Sequence, residues 1–397
     1  MTRSSRLLIT AGLSTAWILA TASTSAQSPP IEQLGKVLFF DSNLSTPGGQ
    51  SCAACHAENT GFTGPDWAIN AAEAVYPGAV HSRMGNRKPP TAAYGGDSPV
   101  LHFDPVERVW IGGMFWDGRA TGWQLGDPLA EQALGPFLNN LEQNIPHAKQ
   151  VIGIVKKSNY AGLFEAVWGP GSLNDKKDGI AATYVRIGRS IAAFERSAEV
   201  NPFSSKYDAY LQGQAVLTAQ EAQGLQLFEG RGNCAACHPS QPGPGGEPPL
   251  FTDFTYDNLG VPKNPMNPFY SAPHSVNRDG GAWVDPGLAG FLAVAGYPED
   301  VWMPERGKQK VPTLRNVDKR PYTGFVKAYT HNGFFKSLED VVHFYNTRDV
   351  ESWPPPEVSV NVNEDELGNL GLTADEEAAI VAFMKTLSDG YTPQRQR

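Results

Sequence analysis

A mainly α-helical fold, built from two similar units with long irregular loops, is predicted by three observations. The pentapeptide Cys-x-x-Cys-His occurs twice, as Cys52-Ala53-Ala54-Cys55-His56 and Cys234-Ala235-Ala236-Cys237-His238. Each copy follows a segment with helical apolar spacing, residues 33–40 before the first and 222–228 before the second. Strand signals are weak and short. The 41 glycines and 32 prolines among 397 residues, with only 18% charged side chains, point to irregular chain wrapped around large apolar groups.

In chain order, Arg3 and Arg6 precede an apolar stretch over residues 7–20 and a run of small residues, Ala22 to Ala26. This is the pattern of a signal peptide over residues 1–26, removed on export. An uncleaved anchor is the competing reading, but the apolar stretch is short for a membrane span. No later segment has the length to cross a bilayer, so the mature chain is expected to be periplasmic. Residues 179–197 form a helix with Ile180, Tyr184, Ile187, Ile191 and Phe194 on one face. Asn201-Pro202-Phe203 then breaks the pattern and divides the chain into domains 27–200 and 201–397. Capping boxes open two further helices, Thr218 with Glu221 and Thr373 with Glu376, the last carrying Ile380, Val381, Met384 and Leu387 on its apolar face. Residues 239–249 and 262–307 read as long surface loops.

All four cysteines lie in the two pentapeptides. A thioredoxin-type pair gives no reason for a histidine after both copies. A zinc site needs four ligands, whereas these offer two sets of three. A disulfide across two residues closes too short a loop to stabilise much. Covalent attachment of c-type haem explains every residue: two thiols for the porphyrin vinyl groups and an imidazole for the iron. The fold expected is thus two cytochrome-c-like domains, each with one covalent c-type haem. The formal charge of −9 becomes about −11 once Arg3 and Arg6 are removed. So acidic a chain lacks the basic patch a nucleic-acid partner requires. It suits a basic electron-transfer partner better.

Phe115-Trp116-Asp117-Gly118-Arg119-Ala120 and Glu131-Gln132-Ala133-Leu134-Gly135-Pro136 are followed in the second half by Val311-Pro312-Thr313-Leu314-Arg315-Asn316-Val317 and His331-Asn332-Gly333. In these segments the chain resembles the bacterial dihaem cytochrome c peroxidase and MauG superfamily, over essentially its whole mature length. The resemblance implies that the haem on Cys52, Cys55 and His56 reacts with peroxide. The haem on Cys234, Cys237 and His238 then relays electrons, with Trp116 as the bridge between them. It also implies an acid–base glutamate ten residues after a glutamine, which Gln132 and Glu142 match. A short insertion lies between Arg119 and Glu131, and Asn139 to Gln143 depart from the usual surroundings of that glutamate. His81 falls near the position of a gating histidine ligand, with Met84 a weaker candidate.

Relatives place a methionine after the tyrosine that precedes His-Asn-Gly; here Tyr329 is followed by Thr330. Tyr329, Met303 and His331 are therefore the candidate ligands of the second iron. A phenolate would favour ferric and high-valent iron. Arg315 reads either as a partner of a haem propionate or as a structural brace. The activity expected is reduction of hydrogen peroxide to water with electrons from a small periplasmic cytochrome c or cupredoxin. The alternatives are a MauG-like oxidase that acts on a protein substrate through high-valent haems, and a plain dihaem electron-transfer cytochrome. The resemblance further implies a calcium ion between the domains and a homodimer, although no carboxylate-rich calcium loop is evident.

Overall fold

Pro30 starts the first helix of the computed structural model, Pro30–Phe40, where its missing N–H is no loss. The structure describes residues 28–392, so the expected signal peptide lies outside the described residues. This helix buries Leu34, Leu38 and Phe39 against the helix Ile180–Glu195. At their crossing, a Cβ on Gly35 would lie 1.9 Å from the Ser190 carbonyl oxygen and 2.8 Å from Phe194 Cβ. Only glycine allows so close an approach of backbones.

The second half repeats the arrangement. The helix Ala219–Glu229 crosses Ala374–Lys385, and both are opened by the expected capping boxes, Thr218 with Glu221 and Thr373 with Glu376. A Cβ on Gly224 would meet the Ala379 carbonyl oxygen at 1.9 Å and Phe383 Cβ at 2.9 Å. The echo in the lead-in segments thus extends to their partner helices. One buried cluster gathers Leu34, Phe39, Phe137, Ile187 and Phe194; another gathers Tyr207, Phe228, Phe251, Phe344 and Phe383.

Strand content is slight, as expected: His102–Asp104 pairs with Val109–Ile111, and Tyr256–Asp257 with Gln309–Lys310, both antiparallel. Residues 239–249 are irregular and mostly exposed. The reading of 262–307 as surface loop needs correction. It contains the helix Leu288–Val294, whose Leu288 and Leu292 are fully buried beside Leu101, Trp110 and Tyr256. Seven residues are too few to show a helical period among so many glycines and prolines. Among the described residues no helix is long and apolar enough to cross a membrane.

Charged groups join the halves. Arg87 lies buried between Asp117, 2.6 Å from Nη1, and Asp285, 2.6 Å from Nε. Against the effect of burial it holds both carboxyl groups below the usual carboxylate range, Asp285 well below it and Asp117 with help from Arg119. Lys327 Nζ donates to the carbonyls of Thr60 at 2.8 Å and of Asn316 and Lys319 at 3.0 Å. Tyr94 donates to Asp389 at 2.7 Å.

The two crossings should dominate the effects of glycine substitution. Gly35→Ala and Gly224→Ala should each lower stability by about 1–3 kcal/mol or more. Gly153→Ala, which meets nothing within 4 Å, should be neutral or stabilising by about 0.4–1 kcal/mol. Denaturant unfolding of the three variants checks the contrast.

Candidate active site

Each Cys-x-x-Cys-His segment lines its own cavity. The N-terminal cavity, about 140 Å³, holds Cys52, Cys55 and His56 in its wall; the C-terminal one, about 220 Å³, holds Cys234, Cys237 and His238. All four cysteines are free thiols, and burial pushes Cys55, Cys234 and Cys237 up to about 12. His56 Nδ1 lies 3.1 Å from the Phe62 carbonyl oxygen, and His238 Nδ1 lies 2.7 Å from that of Phe251. Donation to these carbonyls leaves Nε2 of each ring as the free, metal-binding nitrogen. Burial lowers the pKa of both rings, His56 to about 4. They are therefore neutral, as an iron ligand must be.

Glu142 and Gln132 line the N-terminal cavity together with the cysteines and His56. Gln132 stands on the helix Pro128–Leu138, whose first turn is capped by Asp127. The chain then turns tightly, with Gln143 N–H donating to the Pro136 carbonyl at 3.2 Å and Ile145 N–H to that of Phe137 at 2.8 Å. That turn returns Glu142 to the cavity. Burial raises the Glu142 pKa, opposed by the Arg119 guanidinium and a hydrogen bond from Asn139. Arg119 lines the same cavity and lies over the Phe115 ring, 3.7 Å from its centroid. The insertion is held by Glu131, which accepts from the N–H groups of Gly122, Gln124 and Leu125 at 2.7 to 2.9 Å.

Trp116 lines both cavities, as do Lys88, Pro90 and Thr91. Its indole Nε1 donates to the Lys88 carbonyl at 2.8 Å, and its ring meets His331 edge-on with centroids 6.5 Å apart. Lys88 N–H in turn donates to the His331 carbonyl at 2.7 Å. His331 is buried, its Nε2 3.3 Å from Glu357.

The C-terminal cavity has a different set of polar neighbours. Tyr329 and His331 line it, whereas Met303 lines neither cavity. The Tyr329 hydroxyl accepts from Arg320 Nη2 at 3.2 Å and donates to the Val317 carbonyl at 3.3 Å. Burial raises its pKa, with Arg320 opposing. His81 and Met84 are not brought to the N-terminal cavity. His81 is exposed at the tip of a turn closed by Gly78 N–H to Arg83 O, 2.8 Å, and Arg83 N–H to Val80 O, 2.7 Å.

Several cavity-lining groups escaped the sequence reading. Glu195, Gln143 and Met384 were legible there only as helix or loop residues. Glu195 Oε2 and both side-chain polar atoms of Gln143 are buried without a partner at the N-terminal cavity. Burial lifts the Glu195 carboxyl to about 8. Met384 lines the C-terminal cavity. Arg315, also there, bonds Asp208 and the Pro249 carbonyl, both at 2.8 Å, and leaves Nη2 unpartnered.

Free thiols, neutral imidazoles with an open Nε2 and orphaned polar atoms in two apolar-walled cavities fit covalent haem at both sites. Among the described residues no three His, Cys, Asp or Glu side chains are grouped to hold a metal ion.

Known proteins agree with this architecture. The family described as Di-haem cytochrome c peroxidase matches residues 29–216. The methylamine utilization protein MauG of Paracoccus denitrificans is 34% identical over 391 residues, covering 94% of this chain and 93% of that protein. Cytochrome c551 peroxidase of Nitrosomonas europaea is 28% identical over 363 residues, covering 91% and 81%. The crystal structure of the diheme peroxidase BthA from Burkholderia thailandensis matches with a TM-score of 0.74 and 30% identity, covering 91% and 86%. With two covalently bound c-type haems and oxidoreductase chemistry of the peroxidase type, the chain belongs to the dihaem cytochrome c peroxidase and MauG family.

Proposed function

We propose that this chain is a periplasmic dihaem peroxidase that reduces hydrogen peroxide to water with electrons from a small redox protein. Its two cytochrome-c-like units, 27–200 and 201–397, would carry the peroxide-reacting and the electron-relaying site respectively. The observation that carries the reading is the meeting of Glu142 and Gln132 with Cys52, Cys55 and His56 in one cavity. A plain electron-transfer cytochrome has no use for a half-buried carboxyl group in that wall.

When bound, the haem supplies the iron at which peroxide is reduced. Glu142 does the proton work: its carboxylate takes the proton from one peroxide oxygen and returns it to the departing one, which leaves as water. The Gln132 amide holds the oxygens by hydrogen bonding. The raised Glu142 pKa, with Arg119 and Asn139 limiting the rise, suits a group that must both accept and release a proton. Trp116, shared by the walls of both cavities, would carry the electron between the sites.

A MauG-like oxidase is the second reading. It is favoured by Tyr329 at the C-terminal cavity, close to the Arg320 cation. In that reading the electrons come from a protein substrate, and Tyr329 ligates the second iron.

Glu142→Gln should lower kcat/KM for peroxide by about 10²–10⁴-fold while leaving the absorption spectrum intact. The base must be ionised to act, so wild-type kcat/KM should fall as pH drops through the raised Glu142 pKa, above the usual carboxylate range. Stopped-flow pH profiles check this, and a profile unchanged by Glu142→Gln would remove the assignment. Tyr329→Phe separates the two readings. A changed electron paramagnetic signature of the second haem supports the oxidase, and an unchanged one, with peroxide turnover on a reduced small cytochrome retained, supports the peroxidase.

A further inference from the structure

Two lysines occupy the same place in the two halves. Lys88-Pro89-Pro90-Thr91 and Lys310-Val311-Pro312-Thr313 are fastened to their haem segments by equivalent bonds. In the first, Thr63 Oγ1 donates to the Pro89 carbonyl at 2.7 Å and Thr91 Oγ1 to that of Gly61 at 2.8 Å. In the second, Thr252 Oγ1 donates to the Val311 carbonyl at 2.7 Å and Thr313 Oγ1 to that of Leu250 at 2.6 Å. Thr63 and Thr252 each follow the phenylalanine whose carbonyl orients the histidine ligand. Each lysine is therefore tied to the segment that orients its own unit's iron ligand.

Neither ammonium group has a carboxylate within ion-pair distance; Lys263 and Lys336 are likewise bonded only to two carbonyls but line neither cavity, and Lys327, which lines the C-terminal cavity, has three carbonyl acceptors. Lys88 Nζ reaches Thr63 Oγ1 at 3.3 Å and its neighbour's carbonyl, Pro89 O, at 3.1 Å. Lys310 Nζ reaches the carbonyls of Gly112 at 3.1 Å and Phe254 at 3.2 Å, beside the rings of Phe254 and Tyr256. Asp253 acts on it only through space. Each group thus has three hydrogens and two acceptors. Burial without a counter-charge pulls Lys88 down to about 8 and Lys310 to about 7. Both side chains are half-buried in the cavity walls; a cation held there without a partner is costly, so its retention at the same point of both halves calls for an anion.

A c-type haem brings two carboxylates, on the porphyrin edge away from the vinyl groups that bond to cysteine. We propose that Lys88 and Lys310 are the counter-cations of the haem propionates, Lys310 at the C-terminal site and Lys88 from the wall that serves both. This rests on the presence of two haems, not on peroxide reactivity, so it stands or falls separately from the peroxidase reading. A cation fixed beside a haem also favours reduced iron, which carries one positive charge fewer.

Redox titration of the holoprotein followed by absorbance tests the proposal. Lys310→Met should shift the C-terminal haem toward the ferric form about tenfold, a fall of about 59 mV for one electron, and leave the N-terminal haem within twofold. Lys88→Met should shift both haems. Lys88→Arg and Lys310→Arg, which keep the charge, should stay within twofold of wild type. Met variants that also titrate within twofold would overturn the proposal. Should the Met variants be made without haem, the Arg variants decide: normal haem content and potentials sustain a charge role, and loss of haem there too overturns it in favour of packing.

Discussion

Everything chemical in this protein depends on one thin wall, the segment that carries Lys88 between the two cavities. Its carbonyl receives the Trp116 indole and its N–H reaches the His331 carbonyl. Next to it, Arg87 lies between a carboxylate of each half. A few backbone atoms therefore set the position of the shared tryptophan relative to both cavities. Because these groups are buried and mutually satisfied, the wall has little freedom to drift.

Around that wall the protein uses one scaffold twice. Glycine crossings at Gly35 and Gly224, histidines oriented by Phe62 and Phe251, and the Lys88 and Lys310 turns recur in both halves. What differs lies above the duplicated frame. The N-terminal cavity has a half-buried carboxyl at Glu142 and an amide at Gln132, with Arg119 in the same wall. The C-terminal cavity has Tyr329 and Met384. The two attachment sites thus share a frame and differ in the polar groups of their cavity walls.

Much of this was legible in the sequence. The helices around Gly35 and Gly224 announced themselves by apolar period and capping residues, because helix signals are local. The haem segments were legible because covalent attachment demands fixed spacing. Glu142 was reachable only through resemblance, since nothing in Asn139 to Gln143 shows that the chain will turn back over a cavity. Leu288–Val294 was missed because its period is too short to stand out. Lys88 and Lys310 were missed for a different reason. A lysine reads as surface by default, and only the matching threonine–carbonyl bonds show two of them half-buried at one repeated position. His81 shows the converse, a plausible position in the chain that the turn from Gly78 to Arg83 carries to the outside.

The Arg87 clamp has a mechanical consequence. Opening a hinge between the halves would strip its guanidinium from Asp285, while Asp117 in its own half would keep it. Lys327 would lose the Thr60 carbonyl in the same movement. Both contacts fasten the halves to each other on either side of the wall shared by the cavities.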